Sequence, residues 1–234
     1  PAYRVALETQ SDLANTILKA YGFEPRVRLV MCQSVDDLQT LSKEMGLISQ
    51  RGALTPICPQ ASFGLSNQKR ETIEAVLEYL QKYAKTSLPE DGAPLPSSSL
   101  LGGLNINQDA CTLCMSCVSS CPEGALLDNP DEPILSFIEK QCVQCGLCVQ
   151  TCPEKALTLA PRLQTVEQRK QRVKLNETEP FHCISCGKVF GTLKMVDLML
   201  TKLGAHGAFA GAAMDRLKMC SDCRVVDMVK KEHE

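Results

Sequence analysis

Cysteine supplies the chemistry of this sequence. Fourteen of its 234 residues are cysteine, a share several times the usual one, in a chain longer than a disulfide-stapled miniature domain. Cys32 and Cys58 stand apart, and the other twelve all follow residue 110, ten of them in C-x-x-C spacings. Thiols two residues apart suit a metal better than a disulfide framework. Composition thus points to a metalloprotein of a reducing compartment. Lys+Arg number 25 against 27 Asp+Glu, for a net charge of −2 and a pI near 6.0. That balance gives no electrostatic capture of nucleic acid. Without Trp and with 4% aromatics, the chain is also poorly supplied with base-stacking platforms.

Residues 111–126, CTLCMSCVSSCPEGAL, and 142–157, CVQCGLCVQTCPEKAL, match at a constant offset of 31 residues. This is an internal duplication. Each copy reads C-x-x-C-x-x-C-x-x-x-C-P, the run that bacterial [4Fe–4S] ferredoxins use. Residues 104–160 therefore resemble the two-cluster ferredoxin family. A cubane cluster takes four thiolates, and soft sulfur suits its iron. In that family the fourth cysteine of each run ligates the other cluster. By position, the resemblance implies one [4Fe–4S] cluster on Cys111, Cys114, Cys117 and Cys152. It implies a second on Cys142, Cys145, Cys148 and Cys121. Pro122 and Pro153, with no N–H and a fixed φ, stop the loop from continuing into regular structure. Gly146 allows close backbone approach to a cluster, and Met115 is its counterpart in the first copy. Val118, Val149, Ala125 and Ala156 supply small apolar packing around it. Zinc knuckles built from C-x-x-C pairs are the alternative, but they leave the third cysteine and the Cys-Pro step unexplained, twice over.

A second constellation pairs Cys183 and Cys186 with Cys220 and Cys223. Gly187 follows the first pair, and amphipathic stretches lie between: Val189, Leu193, Val196, Leu200 and Leu203, then Phe209 through Leu217. Two knuckles held apart by a helical hairpin make a closed tetrathiolate site, with zinc as the first choice. A further iron–sulfur centre, a single iron, or free buried thiols are the alternatives. His182 and His206 are read as surface or core residues. Cys32, at a strand end, and Cys58, in a Pro-Ile-Cys-Pro turn, are read as buried, inert thiols, with a redox pair or a position facing a partner cluster as the other readings.

The elements that must position these residues divide the chain into an α+β arrangement. Residues 1–86 read as a small α/β unit. A first helix is capped by Ser11, carries Leu13, Ile17, Leu18 and Tyr21, and ends at Gly22. Val27 to Met31 is a β-prone run. Ser34 with Asp37 forms a capping box for a second helix carrying Val35, Leu38, Leu41 and Met45, closed by Gly46. Asn67 caps a third, with Ile73, Val76, Leu77, Leu80 and Tyr83 on one face. Residues 87–103, rich in Pro, Ser and Gly, have linker composition. Residues 104–160 form the ferredoxin-like dicluster domain of βαβ-type repeats, with short strands at 125–127 and 156–159. Residues 161–181 read as a second linker, a solvated helix around QRKQRVK. Residues 182–234 form a helical module around the tetrathiolate, zinc-type site.

No window approaches the apolar length of a membrane span, and no signal peptide is visible. A cytoplasmic location is the expectation. Pro1 is not an initiator methionine, so the chain is read as trimmed or cut from something longer, and the missing leader weighs little. No nucleophile elbow, P-loop or dinucleotide fingerprint is present, and acid pairs such as Asp36-Asp37 and Asp131-Glu132 sit in helix-start or turn contexts. The expectation is an electron carrier with a protein redox donor and acceptor, as a component of a larger oxidoreductase. The alternatives are a portion of a catalytic oxidoreductase whose active site lies upstream or on a partner subunit, and a regulatory metalloprotein. The layout is similar to that of a group of bacterial ferredoxin-domain proteins whose reaction is unassigned.

Overall fold

A computed structural model describes residues 2–30, 32–50, 58–64, 67–204, 206, 209 and 211–231. Helices α1 (Ala2–Ala20), α2 (Val35–Gln50) and α3 (Lys69–Lys82) come first, followed by strands β1 (Ala93–Pro94) and β2 (Gly102–Ile106). The duplicated region holds α4 (Ser116–Ser119), β3 (Leu126–Leu127), β4 (Ile134–Ile138), a 3₁₀ turn at Glu139–Gln141, α5 (Leu147–Thr151) and β5 (Leu157–Leu163). Then come α6 (Val166–Lys170), β6 (Arg172–Glu177), β7 (Pro180–His182), β8 (Val189–Thr192), α7 (Leu193–Gly204), α8 (Ala212–Leu217) and α9 (Ser221–Lys231). The chain mixes helices with small antiparallel sheets. It divides into two units, Pro1–Gly102 with Pro161–Arg169, and Gly103–Ala160 with Lys170–Glu234.

In the first unit, Tyr21, Phe23 and Leu77 pack with Ala93, Leu95, Leu101, Leu163 and Val166. β1 runs antiparallel to the end of β5, with Ala93 opposite Leu163. Helix α1 starts nine residues before Ser11, because AYRVALETQ is built of helix formers and an i,i+4 pair joins Arg4 to Glu8 at 2.8 Å. It ends as expected at Gly22, whose φ is +77°. The run from Val27 is no strand over the described residues; Met31 lies outside them. The Asn15 side chain takes the place of a neighbouring strand, accepting N–H bonds from Arg26 and Val27 and donating to the Val27 carbonyl. The Ser34–Asp37 capping box is present, with Asp37 N–H on Ser34 Oγ at 3.1 Å and Ser34 N–H on Asp37 Oδ2 at 2.9 Å. Bonds to the Asp37 carboxyl from the Gln33 N–H, at 2.9 Å, then from the Ser34 hydroxyl and N–H, hold it below its usual range. Helix α2 runs past Gly46 to Gln50, and α3 takes Gln68 rather than Asn67 as its N-cap.

In the second unit, β3, β4 and β6 form one antiparallel sheet and β7 and β8 a hairpin. Leu104, Leu113, Leu126, Leu135, Phe137 and Leu157 close a core around Cys117, Cys142 and Cys148. Two stretches of linker composition carry more structure than expected. Within residues 87–103, Leu95, Ser99 and Leu101 are buried, and Ser99 Oγ bonds both N–H and C=O of Leu101 at 3.0 Å. The solvated helix expected over 161–181 shrinks to α6. The rest is strand, because β6 pairs with β4 and Asn176, buried there, donates to the Gln108 carbonyl at 3.1 Å. Pairing along β4 overrides the helical preference of QRKQRVK. Among the described residues, no helix is long and apolar enough to cross a membrane.

Candidate metal centres

The two copies fold alike down to their backbone strain. Positive φ occurs at Leu113 and Gln144 (+52° and +54°), at Met115 and Gly146 (+60° and +78°), and at Gly124 and Lys155 (+62° and +50°). Each pair keeps the 31-residue offset of the duplication. Left-handed residues are rare outside glycine and gather where a loop must wrap something. Here they bend C-x-x-C-x-x-C so that three thiols face inward, and Met115 and Gly146 then open the short helices α4 and α5.

Cys111, Cys114 and Cys117 line a small cavity, and Cys152 from the other repeat completes the sulfur set. Cys142, Cys145 and Cys148 line a second, with Cys121. The remaining walls are largely apolar: Leu113, Met115, Leu135 and Leu157 round the first, Leu104, Leu126, Phe137 and Leu159 round the second. Peptide N–H groups point at sulfur at equivalent places, Ala125 to Cys121 and Ala156 to Cys152, both at 3.3 Å. Cys114 and Cys145 are the exposed members of their sets, whereas Cys117, Cys142 and Cys148 are buried.

Burial and the neighbouring thiols push Cys117 up to about 12, and burial with Cys142 beside it pushes Cys148 up to about 11. Cys142 is also raised by burial, against N–H bonds from Gln144. Burial works the same way on Cys114, but hydrogen bonds from Ser116 and Thr112 outweigh it and bring that thiol below its ordinary value. The buried Cys117, Cys142 and Cys148 resist ionising on their own account. As thiolates they need a cationic core, and binding one expels protons. The donor set therefore fits an iron–sulfur cluster in each cavity.

The expected four-cysteine set also assembles. The sulfurs of Cys183, Cys186, Cys220 and Cys223 all lie within 4.8 Å of one another, a spacing that admits one tetrahedral ion. The first pair sits in the turn between β7 and β8, where Gly187 has φ +75° and donates to the Cys183 carbonyl at 2.9 Å. The second pair flanks the start of α9. Burial opposes ionisation of Cys183, yet N–H bonds from Cys220, Cys186 and Ser185 bring it down to about 6. Ser185 pulls Cys223 down, but Cys186, Cys220 and Cys183 together push it up to about 12. Four thiols this close, with Cys183 held below its ordinary value and Cys223 above it, offer a divalent cation a closed sulfur set. His182 is exposed, with Nδ1 on the Gly187 carbonyl at 3.0 Å, and is not among these four groups.

Sequence reasoning did not find the residues that seat this module. Thr192 accepts the Met195 N–H at 3.1 Å at the start of α7 and donates at 2.7 Å to the carbonyl of Thr112, inside the first C-x-x-C. Lys194 donates to the Gln108 carbonyl at 2.7 Å, and Lys202 lies 3.4 Å from the Glu154 carboxylate. A lone threonine before a helix signals a cap but not its second partner. Gln144, whose amide reaches Cys142, was also missed; its place in the repeat opposite an apolar Leu113 is the one hint the sequence held. Against the expectation of buried thiols, Cys32 is exposed, because no strand forms over the described residues before it, and Cys58 is half-buried; neither belongs to a group of metal-ligating side chains among the described residues.

Residues 108–157 match a family model described as a 4Fe-4S dicluster domain, and residues 141–189 match a second model of the same description. No curated protein matches the chain. The matched span carries a ferredoxin-type iron–sulfur segment, and its chemistry is that of iron–sulfur electron transfer.

Proposed function

We propose that this ferredoxin-type chain relays single electrons through two [4Fe–4S] clusters between a protein donor and a protein acceptor, within a larger oxidoreductase system. Cys111, Cys114, Cys117 and Cys152 hold one cluster, and Cys142, Cys145, Cys148 and Cys121 the other. The observation that carries this reading is the crossing of the fourth cysteines, Cys152 lining the first cavity and Cys121 the second. Such clusters, with every iron four-coordinate, supply one-electron transfer and no open site for a substrate.

The protein's own groups do the rest. Leu113, Leu126, Leu135 and Phe137, all buried, exclude water and lower the local dielectric. The N–H groups of Ala125 and Ala156 meet the charge on the crossing sulfurs. The exposed Cys114 and Cys145 give each centre one edge at the surface, where a donor or acceptor docks. Interleaved ligands keep the two centres adjacent, so that an electron entering at one leaves from the other. Cys183, Cys186, Cys220 and Cys223 hold a structural zinc, and that module braces the first repeat through Thr192 and Thr112.

Metal analysis and electron paramagnetic resonance of the anaerobically purified, reduced chain test this. About eight irons, as two interacting cubanes, and one zinc are expected. A chain carrying zinc alone would overturn the relay.

A further inference from the structure

The two repeats differ at several positions that touch sulfur, and at one of them the second repeat carries an amide where the first has an apolar side chain. Gln144 and Leu113 correspond across the duplication and share a left-handed backbone, φ +54° and +52°, so both side chains leave the loop in the same way. Leu113 is 3% exposed and packs in the core. The Gln144 amide instead places Nε2 at 2.9 Å from the Gly103 carbonyl and 3.3 Å from Cys142 Sγ. The Gln144 peptide N–H lies 3.4 Å from the same sulfur.

Chemistry fixes which way this amide faces. A carbonyl oxygen and a thiolate are both acceptors, so only the NH2 end, with its two hydrogens, satisfies them together. The turned amide would set oxygen against oxygen. The chosen orientation leaves Gln144 Oε1 buried with no hydrogen-bond partner among the described residues, an arrangement proteins rarely keep without a use for it. A leucine, as at position 113, would fill the space without that orphan.

We infer that Gln144 tunes the second centre, its amide raising the reduction potential of the cluster on Cys142 above that of the same cluster without the bond. This rests on the ligation proposed above. A reduced cluster carries one more negative charge than an oxidised one, and part of it lies on the cysteine sulfurs. A donor held on Cys142 therefore stabilises the reduced form more, and the potential rises. Leu113 has no polar side-chain atom and gives Cys111 no such bond.

A redox titration followed by electron paramagnetic resonance, on the full chain with both clusters in place, tests this. In Gln144→Leu, one of the two midpoint potentials should fall by a factor of about ten in the reduction equilibrium, about 59 mV for one electron. The other should stay where it is. Gln144→Met, unbranched and without a donor, should give the same fall. Unchanged potentials with lowered thermal stability would make the amide a purely structural clamp and overturn the inference. So would two potentials moving together, or loss of the same cluster in both variants. If the unaltered chain held no clusters, the relay itself would fail; clusters present but unresponsive would sink this inference alone.

Discussion

Met115 and Gly146 hold the same left-handed backbone, at φ +60° and +78°, and each is the N-cap of a short helix. This conformation costs an L-residue about 1–2 kcal/mol that glycine escapes. Gly146→Ala should lose about 1 kcal/mol, nearly all from the backbone, since an added Cβ meets only Leu159 Cδ1 at 3.7 Å. Gly92 has φ +84°, and a Cβ there would stand 2.9 Å from the Leu163 carbonyl oxygen. Gly92→Ala should therefore cost clearly more. Denaturant unfolding of the two variants checks the order, and equal losses would mean that the close approach at Gly92 carries no strain.

Crossed ligation makes a prediction that uncrossed ligation reverses. Cys152→Ser should remove the same cluster as Cys111→Ser, and Cys121→Ser the same one as Cys142→Ser. Each single variant should drop the iron from about eight to about four. The spectrum of the surviving cluster should match within each pair and differ between pairs. A Cys152→Ser spectrum that matched Cys148→Ser instead would show each repeat binding its own fourth cysteine.

The C-terminal site should empty independently of the clusters. Cys183 is one of four sulfurs that all lie within 4.8 Å of one another, so Cys183→Ser leaves a divalent ion one ligand short of a closed tetrathiolate site. One equivalent of zinc should be lost from the purified variant, with the iron content unchanged. Iron falling in step with zinc would mean that the four thiols and the two cavities form a single metal unit.

What the sequence made legible follows from how local each feature is. The cysteine runs, the correspondence of Gly146 with Met115, the Ser34–Asp37 box and the strands at 126–127 and 157–159 depend on neighbours within a few residues, and spacing reveals them. The gathering of Cys183, Cys186, Cys220 and Cys223 was readable because tetrathiolate chemistry demands it. Strand β6 was hidden because its partner β4 lies some 40 residues earlier, and QRKQRVK alone favours a helix. Thr192 and Gln144 were hidden for the same reason, since their partners Thr112 and Gly103 are neighbours only after folding. The start of α1 was missed because Ser11, a good cap by type, lies in a helix already under way.

The first unit carries a buried charge pair that no local pattern announced. Arg169 Nη1 lies 2.6 Å from Glu74 Oε1, with the two side chains 0% and 7% exposed. Desolvating two such charges offsets much of their attraction, whereas removing one partner strands the other in a medium that solvates it poorly. Arg169→Met should therefore destabilise the unit by roughly 3–5 kcal/mol. The double variant Glu74→Leu with Arg169→Met should recover most of that loss, because apolar side chains of similar volume need no partner. Thermal unfolding of the single and double variants reads the difference. A double variant as unstable as the single one would assign the pair a packing role that its charges do not explain.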